Sequence, residues 1–420
     1  MKYFVRTAAV LCVFAAILLG CKANVSTPIA VTSVMLDKAT VTLVEQETVT
    51  LKATVLPANA ANKTVAWSSN KPEIASVDAD GTVTAHKAGD AVITVETEDG
   101  GKAASCTVRV LTRYTITYNL NGGTNHKDNP AHYTVETETI TLKPVNKADH
   151  IFFGWYTEAD FSGSPVTEIA KGSRGNIELY AKFIELKMIV IGAVTNGNLG
   201  CDDSFYHRYN NKPHKVSLTA YRIGETEVTQ ELWQAVMGNN PSNFKDTKNP
   251  VEQVNWYHCI AFCNELTKKV AGLGESECLY YSDAGYTNVY TKEDAGAKKE
   301  VYLYTAMNKK GFRLPTEAEW EWAAKGGTED KWAGVNKESK LGEYAWYSAN
   351  NGWKTHEVKK KQANGYGLYD MSGNVWEWCW DWYSNSTPTG GQDPTGPAAS
   401  GGDRVERGGS WDGNAVSAAR

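Results

Sequence analysis

The sequence predicts a multidomain chain: two all-β modules followed by an irregular α+β module. Three observations carry this. At 420 residues the chain exceeds one ordinary domain. From Val31 onward apolar and polar residues alternate between closely spaced turn signals, as in half-buried strands. After about Met188 helical spacing with capping residues appears, and twelve of the 14 tryptophans lie beyond residue 230.

Composition narrows the class. Hydrophobic content of 42% and charged content of 22% fit folded material and exclude disorder. Net charge is only -5 and the longest basic run is Lys359-Lys360-Lys361, so nucleic acid is not an expected partner.

Residues 1–20 read as a secretory signal. Lys2 and Arg6 form its charged start and Ala8 to Leu19 its apolar stretch, which is shorter than the ~20 residues a spanning helix needs. The stretch ends in Leu18-Leu19-Gly20-Cys21, which resembles the bacterial lipobox. That resemblance implies acylation at Cys21 and a membrane anchor in the cell envelope. The cell surface at the outer membrane is expected rather than the periplasmic face. Residues 21–30 form a short tether. Six further cysteines follow, Cys106, Cys201, Cys259, Cys263, Cys278 and Cys379, without any CxxC. Their pairing cannot be read from spacing.

The first module spans residues 31–112. Thr48 to Val55 alternates strictly, and turns fall at Pro57-Ala58-Asn59, Asp80-Gly81 and Asp99-Gly100. Val65-Ala66-Trp67-Ser68-Ser69-Asn70, Ala75-Ser76-Val77-Asp78 and Gly81-Thr82-Val83-Thr84-Ala85 resemble a bacterial Ig-like domain of the group 2 type, with Trp67 as core anchor. The second module spans residues 113–185. Tyr114 to Gly123, Phe153-Gly154-Trp155-Tyr156 and Leu179-Tyr180-Ala181-Lys182-Phe183 resemble the Listeria–Bacteroides repeat. Neither module suggests chemistry.

The third module spans residues 186–420. Thr229 is expected to cap a helix with Leu232, Trp233 and Val236 on one face, closed by Gly238. Asn255 precedes a second helix with Cys259, Ile260, Cys263 and Leu266 at helical spacing. The two cysteines read as core thiols rather than as a metal pair. His207, His214 and His258 are scattered without ligand spacing. In Phe312-Arg313-Leu314-Pro315-Thr316-Glu317-Ala318-Glu319-Trp320-Glu321, Thr316 and Glu319 form a capping box, and Gly326 ends the helix. Next come Gly365 to Trp378, containing Asp370-Met371-Ser372-Gly373-Asn374-Val375-Trp376-Glu377, and then Arg404 to Trp411, containing Gly408-Gly409-Ser410.

These three blocks, in this order, resemble the formylglycine-generating enzyme (sulfatase-modifying factor) family. The resemblance implies an irregular α+β relative of the C-type lectin fold. It also implies a copper- and oxygen-dependent oxidase that converts a sulfatase cysteine to formylglycine. The family's two active cysteines stand at the second and seventh positions after the aromatic of the Gly-Gly-Ser block. Here those positions are Gly413 and Ala418. Neither supplies a soft sulfur donor, so copper is not expected and no catalytic residue is assigned.

The resemblance further implies a structural calcium at Asp370, Gly373, Val375 and Glu377. The alternative is an ordinary turn whose carboxylates are solvated or paired with arginine. Ser410, Trp411, Asp412, Gly413, Asn414 and Ser417 are the candidate ligand-binding residues, for a protein or a glycan. The alternative is a loop with a core tryptophan. Family members continue beyond Ala419-Arg420, so the closing strand is expected to be missing. The expected function is a lipid-anchored display protein with a binding head. An oxidase acting on exported sulfatases and a non-catalytic regulator of such an enzyme stay open as alternatives.

Overall fold

The computed structural model describes residues 27–201, 211–305, 308–388, 390–398 and 402–413. Cys21, His207, Asn414, Ser417 and Ala418 lie outside the described residues. The chain divides into two compact units, residues 1–114 with 134–136, and residues 115–133 with 137–420.

The first unit is a β-sandwich. One sheet orders Thr40–Val44, Ala103–Leu111, Gly89–Thr97 and Val65–Ser69; another orders Thr48–Thr50, Thr82–Ala85 and Ala75–Val77. In Gly89–Thr97 the inward positions Ala91, Ile93 and Val95 are fully buried, as the period-2 pattern requires. They meet Leu51, Val83, Cys106 and Val108 in one core. Trp67 is partly buried and packs at the border of that core.

The second unit joins the small β module to the helical module. His150–Tyr156 and Ile177–Glu185 pair antiparallel, and Tyr114–Asn119 runs parallel to the latter. Trp155 is buried, and its indole N–H donates to the Lys143 carbonyl at 3.0 Å. On the same strand Ile151 enters a different cluster, with Trp233, Val236, Val251, Phe262 and Leu266 of the following module. Lys182 reinforces this seam through an ion pair to Glu231 at 2.5 Å.

In the helical module, local signals set the elements. Helix α1 (Gln230–Met237) starts where Thr229 accepts from the Leu232 amide and stops at Gly238, at φ 84°. Helix α2 (Trp256–Lys269) starts at Asn255, which accepts from the His258 amide. A short helix, α3, covers Lys292–Gly296. Helix α4 (Glu317–Lys325) carries the reciprocal Thr316–Glu319 capping box. Cys263 lies in the core beside Ile260, with Cys259 packed on the adjoining cluster. Burial pushes the Cys263 thiol up to about 12, so it holds its proton and is a poor nucleophile or ligand. Cys106, Cys259, Cys263, Cys278 and Cys379 carry free thiols.

The strand Glu377–Trp382 pairs antiparallel with Arg404–Arg407 and lies against α4. Arg407 is fully buried and bonds Glu317 at 3.0 Å and Glu321 at 2.9 Å. This ladder places the Gly-Gly-Ser segment directly beside the Asp370–Glu377 loop.

Candidate functional site

Two loops make up the site. The first runs from Asp370 to Glu377. Asp370 is buried at φ 57°, and one carboxylate oxygen accepts the Lys359 amide at 2.9 Å. The other, Oδ1, is buried and meets no donor among the described residues. Gly373 sits at φ 90°, and a Cβ there would lie 2.1 Å from the Trp346 carbonyl oxygen, so only glycine fits. The carbonyls of Gly373 and Val375 accept no hydrogen bond among the described residues. Neither Asp370 nor Glu377 forms an ion pair among the described residues.

A third carboxylate stands behind the loop. Glu227 is buried and accepts from the Asn374 side-chain amide at 2.8 Å and the Val375 amide at 3.1 Å. Burial pushes Asp370 up to about 6 and Glu377 up to about 7. Burial, then the charges of Asp370 and Glu377, push Glu227 well above the usual carboxylate range. Among the described residues no three His, Cys, Asp or Glu side chains converge on one point. The oxygens this loop carries are the Asp370 and Glu377 carboxylates and the Gly373 and Val375 carbonyls. That is a hard-oxygen set, suited to calcium and unsuited to copper(I).

The second loop is Ser410 to Gly413. Buried Ser410 donates its hydroxyl to Asp412 at 2.5 Å, so this serine braces the loop. The Trp411 amide donates to the Asn374 carbonyl at 2.8 Å, and the Ser348 amide donates to the Gly413 carbonyl at 3.0 Å. Asn351 donates its side-chain amide to the Trp411 carbonyl. Trp411 is partly buried and meets Phe244 edge to face at 5.4 Å. Asp412 is exposed. Asn374 lies in the first loop and its carbonyl holds the second, so it links the two.

Among the described residues, a Cβ at Gly413 would meet only the Ser410 hydroxyl, at 3.6 Å, an ordinary contact.

The same Asn351 carboxamide accepts the Trp353 amide at 2.7 Å. Trp353 is 83% exposed at φ 64°, on a turn tied to the Trp411 backbone. His356 completes the support: it stacks on Trp346 at 3.8 Å, and its backbone amide donates to the Asn374 side-chain oxygen at 3.0 Å. His214 bonds the Lys212 carbonyl and His258 sits in the first turn of α2, both away from these loops. Sequence reasoning singled out Asp370, Gly373, Val375 and Glu377 in one segment and Ser410, Trp411, Asp412 and Gly413 in another, and the fold brings the two segments together. It missed Glu227, Asn351 and Trp353. The available signal for Glu227 was its place two residues before the Thr229 cap.

Known proteins match in the same order along the chain. Residues 30–108 match the bacterial Ig-like domain (group 2), and residues 114–182 match the Listeria-Bacteroides repeat domain. Chaperone protein LppX of Paenibacillus barcinonensis is 38% identical over 215 residues, 47% of this chain and 71% of that protein. A formylglycine-generating enzyme of Streptomyces coelicolor is 42% identical over 128 residues, 24% of this chain and 36% of that enzyme. Among solved structures, Treponema denticola variable protein 1 is 50% identical with a TM-score of 0.49, covering 56% of this chain and 87% of that one. The sulfatase-modifying factor enzyme 1-like domain matches residues 184–420, more than half of the chain, and the chain belongs to that family.

Proposed function

We propose that the chain is a lipid-anchored cell-envelope protein whose head binds a protein or glycan ligand without oxidising it. The binding face is the Ser410–Gly413 loop together with the turn bearing Trp353. One observation carries the reading. The loop that bears the first active cysteine in family enzymes is pinned by Ser348, Asn351 and Asn374, leaves a Cβ at 413 in ordinary contact only with the Ser410 hydroxyl among the described residues, and holds glycine there. Copper(I) needs soft sulfur, and neither Gly413 nor Ala418 provides it. The relative named as a chaperone protein supports a head that works by binding. Trp353 and Asp412 are both exposed, on a turn and a loop joined through Asn351, and an aromatic face and a carboxylate are groups that anchor ligands.

Calcium fits the first loop. Asp370, Gly373, Val375 and Glu377 would hold it, and the ion would neutralise the buried Asp370 and the partly buried Glu377. Cys21 would carry the lipid anchor, with the two β modules between it and the head.

Binding of the full chain to arrays of purified glycans and proteins tests the reading. Signals are expected to fall at least about tenfold in the Trp353→Ala, Asp412→Ala double variant, the ~1.4 kcal/mol expected of an anchor residue. Signals indifferent to that change would overturn it. Protease added to intact cells is expected to cleave the head, and a fully protected head contradicts surface display.

A further inference from the structure

A second site lies away from both loops. Strand Tyr280–Tyr281 pairs with Tyr302–Leu303, and three tyrosines surround one end of the pair. Tyr281 and Tyr286 meet at 5.5 Å and 78°, Tyr286 and Tyr304 at 5.2 Å and 84°, and Tyr281 and Tyr304 at 6.4 Å and 52°. The rings form three walls of a box. The Lys309 ammonium stands over two of the three rings, 4.9 Å from the Tyr281 centroid and 4.6 Å from the Tyr304 centroid. It donates to the Tyr281 hydroxyl and, at 3.1 Å, to the Cys278 carbonyl.

Tyr286 is the informative wall. It is 40% exposed, and its backbone is left-handed at φ 54°. A bulky residue there costs about 1–3 kcal/mol and persists only where its surroundings hold it. Asp283 does so, accepting the Asn288 amide at 2.7 Å and the Thr287 amide at 3.2 Å. The ring leaves 40% of the residue exposed, and its ring contacts are with Tyr281 and Tyr304, the two rings that hold Lys309. What the strain achieves is to close the third side of the box.

Ring faces attract positive charge, and a box of them favours a cation that has little water to lose. A primary ammonium is compact, strongly hydrated and carries three donors. A quaternary ammonium has no N–H to satisfy and presents methyl groups to the rings. We propose that Tyr281, Tyr286 and Tyr304 form a binding site for a quaternary ammonium headgroup, with the Lys309 side chain as its resident stand-in. The site is independent of the calcium loop and of the Gly-Gly-Ser loop.

Choline chloride titrated into the full chain, followed by calorimetry and thermal unfolding against sodium chloride at equal ionic strength, tests this. Wild type is expected to bind choline saturably and in preference to ethanolamine. Lys309→Ala, which vacates the box, is expected to bind at least about tenfold tighter, because the resident competitor is gone. Choline should restore part of the Tm that this variant loses. Tyr286→Ala removes an exposed, strained residue and is expected to fold, yet to bind no choline. Absence of saturable binding in both wild type and Lys309→Ala, or equal binding by Tyr286→Ala, would overturn the proposal and leave Lys309 as a structural brace.

Discussion

Two positions, partly buried Gly413 and buried Arg407, show how much single residues decide in the head. Among the described residues a Cβ at Gly413 would touch only the Ser410 hydroxyl, so Gly413→Cys is expected to fold with a stability change within about 0.5 kcal/mol, measured by denaturant unfolding. Arg407 is the opposite case. It has no exposed surface and neutralises Glu317 and Glu321 together. Arg407→Ala leaves two buried carboxylates without their cation, and is expected to cost about 3–5 kcal/mol. The loss should depend on pH. Burial alone would raise Glu321, but Arg407, the Gly200 amide and Asn211 hold it below the usual carboxylate value. A lowered folded-state value stabilises above the unfolded value near 4.5, and that contribution fades as pH falls through the folded value. The gap between wild type and Arg407→Ala should therefore narrow below pH about 4.5; a constant gap down to acid unfolding would contradict the pairing.

Helices and loops differ in how far the sequence reveals them. Thr229, Asn255 and Thr316 act within three residues of themselves, so their caps are legible as spacing, and each helix begins where its cap stands. The Asp370–Glu377 loop is legible only in part. Its own residues are contiguous, but Glu227 reaches it across 147 positions and leaves no periodic trace. Trp353 escaped notice for the same reason: only the Asn351 carboxamide, bonded at once to residues 353 and 411, shows that its turn borders the binding loop. Calcium binding to this loop is expected to raise Tm, and at one hundred times its dissociation constant the ion would stabilise the head by about 2.7 kcal/mol. Chelator should reverse the gain. Asp370→Asn weakens a ligand and should lose most of it, whereas an equal calcium response in Asp370→Asn would show that the ion binds elsewhere.

Across the whole chain, the composition shift at Met188 marks a change of architecture without marking a break in packing. Ile151 of the small β module shares a cluster with Trp233, Phe262 and Leu266 of the head, and Lys182 pairs with Glu231. The near-continuous apolar run of His150–Tyr156 shows that the strand must be covered; what covers it depends on tertiary contacts that spacing does not encode. Ile151→Ala is expected to cost about 2–5 kcal/mol and to lower the unfolding transition of the head and the small module together. Separate transitions for residues 113–185 and 186–420 would show that the seam contributes little. The central claim concerns the head's chemistry: a family scaffold that binds and does not oxidise. Mass spectrometry of a Cys-x-Pro-x-Arg peptide, incubated with the full chain, copper and oxygen, tests it most directly. The account predicts that the cysteine keeps its thiol mass, and conversion of that cysteine to formylglycine would contradict it.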